Sequence, residues 1–224
     1  MDAPLAPVQA AAENAPDDDS GLLRKVLLVA WGSILIAVSL ELLLLLVPLV
    51  TGGSVKSFAR LVADLVQKVS WSSLVCVGLA LGTAVRRARP AAMGALGLAS
   101  APVAFTTAKS LHKGASQALG LATAASVAST LLIAALKALE YGVLGALLGT
   151  LSKRGKGLGL YLAFGFGVGL LFGSVIVRVI TSAAAGPAST STLLTLSINE
   201  MLFPVGCSLV IYAAETFSKK AKAG

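Results

Sequence analysis

The sequence predicts an all-α integral membrane protein of about six transmembrane helices, with one amphipathic helix lying at the interface. Three observations carry this expectation. Only 12% of the 224 residues are charged, 56% are hydrophobic, and the mean hydropathy is +0.88. A soluble domain carries about 25% charged residues. Apolar runs long enough to cross a ~30 Å hydrocarbon core recur along the chain. Lys and Arg gather in short clusters between these runs, as topology determinants do.

Residues 1–20 are rich in Ala, Pro and acid, with Asp17, Asp18 and Asp19 in a row. This composition predicts a disordered acidic tail ahead of a polytopic domain over 21–218. The first apolar run, 26–50, follows Arg24 and Lys25. It lacks the short apolar core of a secretory signal and reads as a permanent first span. In residues 54–70, Phe58, Leu61, Val62, Leu65 and Val69 recur at helical spacing with Lys56, Arg60, Asp64 and Lys68 between them. That pattern predicts the interfacial helix.

Residues 71–85 and 91–108 give short second and third spans, separated by Arg86, Arg87, Arg89 and Pro90. The fourth apolar stretch, 115–151, holds only Lys137 and Glu140 as charges. As one helix it would be about 55 Å long, so it must tilt, protrude or break near Gly142 or Gly145. Residues 158–182 and 192–217 supply the fifth and sixth spans, with Ala185-Gly186-Pro187 as the turn between them. Residues 219–224 form a basic tail.

Charge asymmetry orients this arrangement. With six spans and Arg24 and Lys25 inside, the inner segments hold eleven Lys/Arg and the outer segments five. The positive-inside rule then places both termini in the cytoplasm. The Ala, Leu and Gly bias suits a high-GC bacterium, hence a bacterial inner membrane. The bilayer is the first partner this implies, with further copies of the chain or other membrane subunits as the next.

Within the fifth span Gly165, Gly169 and Gly173 lie at i, i+4 and i+8 on one face. Such a zipper lets another backbone approach closely, in the same chain or in another subunit. Arg178 lies on the opposite face and either snorkels or pairs. Glu41 in the first span and Glu200 in the sixth come out at similar depth. A charge there costs at least ~2.5 kcal/mol unless it is paired, protonated or turned inward. A Glu–Arg pair tying helices one, five and six is one reading. A cation or proton site is the other. Pro204 removes the helical partner of the Glu200 carbonyl, and Asn199 adds a further oxygen. Oxygen donors suit hard cations.

Thr123, Ser126, Thr130 and Lys137 form a polar stripe on the fourth stretch, beginning at Ser116. It serves as interhelical glue or lines a path. Lys137 and Glu140 are spaced for an i,i+3 pair at the inner interface.

Catalytic chemistry finds little support. One histidine, His112, and two cysteines, Cys76 and Cys207, cannot form a His/Cys metal cluster or a CxxC pair. Both cysteines lie in apolar runs and read as reduced, buried thiols. No Walker, Rossmann or HExxH motif occurs, and no basic face interleaved with aromatics points to nucleic acid. The expectation is therefore a non-enzymatic protein without cofactor or metal. The expected function is a channel or transporter for a cation or small solute, with Glu41, Arg178, Asn199, Glu200 and Pro204 as the candidate ion-path or charge-pair residues. The alternative is a scaffold subunit of a larger membrane complex.

Overall fold

A computed structural model describes residues 16–85, 87–122, 129–184 and 186–223. Six helices follow one another: α1 Pro16–Thr51, α2 Phe58–Gly82, α3 Arg89–Ala118, α4 Thr130–Lys153, α5 Leu158–Ser182 and α6 Thr190–Ala223. The described residues contain no strand. All six helices are long and apolar enough to cross a membrane, which marks an integral membrane protein. Large apolar side chains such as Leu35, Leu42, Leu131 and Leu171 face outward, where lipid would meet them.

The helices run up and down. Each packs on its neighbour in sequence, and α6 returns to α1, closing a ring. Within the ring α2, α4 and α6 also touch one another. Lipid tails are as apolar as leucine, so such a bundle is held by close packing and polar contacts. Glycine supplies much of the closeness. A Cβ on Gly169 would fall 2.5 Å from the Met201 carbonyl oxygen, and one on Gly165 would fall 2.9 Å from Val205 Cα. The α5 zipper is therefore filled by α6 of the same chain. A second set on α4 packs on α3: Gly145 and Gly149 meet its backbone at Met93 and Pro90, and Gly142 meets the Leu98 side chain.

Helix ends follow from local sequence. Gly120 and Gly155 take positive φ just past α3 and α4. At α3, Leu121 N–H donates to Ser116 O and Gly120 N–H to Gln117 O, the six-to-one and five-to-two bonds of a glycine C-cap. Ser129 then caps α4 by accepting from Leu132 N–H.

Several expected boundaries move. The stretch 115–151 is broken, at Gly120 rather than at Gly142 or Gly145: its first residues finish α3, and α4 starts at Thr130. Gly142 and Gly145 are contact points, not breaks. No separate interfacial helix lies over 54–70, because residues 58–82 form one continuous helix. Lys56 just before it, and Asp64 and Lys68 within it, are drawn into ion pairs, while Phe58 is 80% exposed. Helix α1 already begins at Pro16, inside the expected tail, with Pro16 and three aspartates suited to a first turn. Helix α6 continues through the expected basic tail to Ala223.

Candidate ion-binding cavity

At the end of the bundle away from the termini, four carboxylates and three lysines form two linked groups. In the first, Glu41 of α1 accepts from Lys56 Nζ at 3.1 Å and from Lys68 Nζ. Lys56 also donates to Asp64, whose second oxygen lies 3.1 Å from His112 Nε2 on α3. In the second, Lys137 Nζ on α4 donates to Glu140 Oε2 at 2.8 Å and to Glu200 Oε2 on α6. Two aromatic rings complete the seat of Lys137, with Trp71 and Tyr141 centroids 5.5 and 5.7 Å from Nζ. Trp71 stands edge-on to both Tyr141 and Phe105, which fixes the ring positions.

Lys56, Asp64, Lys68, Lys137, Asn199 and Glu200 border one cavity of about 240 Å³. Lys56 and Asp64 are its most open charged members, with side chains 24% and 20% exposed. Glu41, Glu140 and Glu200 are 1%, 0% and 7% exposed. The second group holds two carboxylates, Glu140 and Glu200, against the single Lys137. Two buried oxygens, Glu140 Oε1 and Asn199 Oδ1, accept no hydrogen bond from the described residues. Buried polar atoms are nearly always satisfied. A proton or a small hard cation would meet both the surplus charge and the idle oxygens.

The expected site residues distribute unevenly over this picture. Glu41, Asn199, Glu200 and Lys137 belong to it. Arg178 does not: it is exposed on α5 and has no ion pair among the described residues, so neither glutamate is tied to it. Lysines on α2 and α4 take that role. Pro204 lies inside α6 and packs by its carbonyl against Gly165. The polar stripe is split between helices. Ser116 is on α3, Thr130 opens α4 and accepts from Lys109 at 2.7 Å, and Thr123 and Ser126 lie outside the described residues. The Lys137–Glu140 pair forms, but buried inside the bundle rather than at an inner interface.

The spacing of Lys56, Asp64 and Lys68 suits a membrane surface as well as a buried cluster, and a lone His112 gives no pattern, so sequence alone does not mark these four. The i,i+4 spacing of Asp64 and Lys68 was visible, as was the absence of any other candidate partner for Glu41 nearby in the chain.

A second ionic centre occupies the opposite end. Glu215 of α6 accepts from Lys25 Nζ at 3.4 Å, Tyr161 Oη at 3.1 Å and Ser152 Oγ. Arg89 Nη1 lies 3.7 Å from Glu215 and donates to Ser152 at 2.6 Å. Five helices meet at this one carboxylate. Between Glu200 and Glu215, α6 buries Phe203, Cys207, Val210, Ile211 and Ala214 over about 22 Å.

No protein-family model matches this chain, and neither a curated protein nor a solved structure is significantly similar to it.

Proposed function

We propose that this protein is a membrane channel or transporter whose central cavity takes a proton or a small cation. One observation carries the reading: a cavity inside the ring, bordered by charged side chains of α2, α4 and α6, with one uncompensated carboxylate in the Lys137 group. An excess buried charge costs several kcal/mol and is retained where it binds something. Ions would enter past Lys56 and Asp64 and reach Glu200 and Asn199. Passage onward requires movement of the apolar layer between Glu200 and Glu215. The Lys/Arg asymmetry supports cytoplasmic termini, with the cavity facing the other side of an inner membrane.

The scaffold alternative drew on the glycine face of α5 as a docking surface. That face is occupied by α6, so it offers no argument for a partner subunit or for a homo-oligomer. The cavity is formed within one chain.

Flux of H⁺, Na⁺ and K⁺ into liposomes carrying the purified protein tests the proposal, with Glu200→Gln measured beside it. Flux in the wild type that falls at least tenfold in a folded Glu200→Gln supports it. Folded wild-type protein that moves none of these ions sinks it.

A further inference from the structure

Cys76 of α2 and Cys207 of α6 come together in the core although 131 positions separate them in sequence. Their sulfurs stand 2.7 Å apart, closer than two unbonded sulfurs settle and a small step from the ~2.05 Å of a disulfide. Each residue is 1% exposed. Cys207 lies two helical turns beyond Glu200, on the same helix, and Cys76 follows Trp71 by five residues. The pair therefore sits in the apolar layer just beneath the cavity, joining two of the three helices that meet inside the ring.

We propose that Cys76 and Cys207 are an oxidisable pair whose disulfide pins α2 to α6. The two thiols each lose a proton, and together they pass two electrons to an acceptor that can enter the bilayer, of the quinone class, which leaves as the quinol. One S–S bond forms and two S–H bonds break. Burial excludes charged thiols such as glutathione, so the bond, once made, resists the aqueous thiol pool. The cross-link closes a loop of more than a hundred residues, where the chain-entropy gain is largest. It also stops α2 and α6 from separating beneath the cavity.

The test uses the intact protein in detergent or liposomes. One sample is treated with diamide, a neutral two-electron acceptor that leaves as the hydrazine, and one with dithiothreitol during brief unfolding and refolding. Both are then denatured, labelled with a maleimide and weighed intact. Treated wild type should take up no label and weigh two hydrogens less, and reduced wild type should take up two labels. Cys76→Ser should take up one label under both conditions. The oxidised wild type should also melt several degrees above the reduced form, with no such difference in Cys76→Ser. Two labels on the diamide-treated wild type would overturn the proposal, as would a covalent dimer in place of the intrachain bond. These readouts do not depend on ion flux.

Discussion

Glu215 and Glu200 are both buried carboxylates on α6, about four turns apart, yet their surroundings differ in kind. Glu215 is enclosed by a lysine, an arginine, a serine and a tyrosine drawn from four other helices, all packed onto its two oxygens. Glu200 shares a single lysine with Glu140, borders a cavity, and sits beside an asparagine oxygen that receives nothing. In the first, both carboxylate oxygens are met and cations outnumber the carboxylate two to one, with only Arg89 Nε lacking a partner among the described residues. The second has room and charge to spare. A crowded set holds helices together, whereas the open one is where the proposed ion would bind. The same substitution at the two positions should therefore have different consequences.

Glu215→Gln carries the largest expected effect. It leaves the guanidinium of Arg89 without its carboxylate inside the bundle, and removing one partner of a buried ion pair costs about 3–5 kcal/mol. For a chain of this size that lowers Tm by roughly 10 °C. Thermal unfolding in detergent reads this directly. A Glu215→Gln protein that melts with the wild type would mean the two ends do not differ as described.

Gly169→Leu comes next. Its Cβ would press on the Met201 carbonyl and its larger side chain would wedge α5 from α6. Overpacking of this kind costs about 1–3 kcal/mol. Because Gly173 lies against Glu200 Cβ one turn away, the displacement should also disturb the cavity. Tm and flux should fall together. A lower Tm with unchanged flux would separate the α5 contact from the site.

Glu200→Gln should change stability by no more than about 1 kcal/mol, since Lys137 keeps Glu140 and the linked groups become balanced. Flux should drop at least tenfold. Loss of folding comparable to Glu215→Gln would make the two centres alike and both structural.

How much of this was legible depended on whether the governing signal was local. Spans, the glycine face of α5 and the unusual burial of Glu41 and Glu200 could be read because each depends on composition or spacing within one helix. The α3 end is also written locally, in Gly120, but the apolar run on either side of it masks the break. Partners were not legible. Lys56 and Lys68 reach Glu41 across a turn, and Lys137 reaches Glu200 across 63 positions, which no spacing within one helix reveals. Glu215 was passed over because it lies near the end of a span, where an acid looks ordinary. Only the meeting of five helices makes it central.

Arg178→Gln is expected to do least, and its value lies there. The sequence made Arg178 the natural counter-charge for Glu41 and Glu200, and the structure leaves it exposed on α5 near the turn into α6, beside Thr181, Ser182 and Leu193. An exposed cation at that depth reaches the headgroup region along its own stem, and its removal should shift stability by less than about 0.5 kcal/mol. Flux should be unchanged. That null result matters because the surplus carboxylate is counted from Glu140 and Glu200 against Lys137, with Arg178 left out. Altered ion selectivity in Arg178→Gln would bring its charge into the count and cancel the surplus. The cavity end would then hold no surplus carboxylate, and the argument for a bound cation would fail with it.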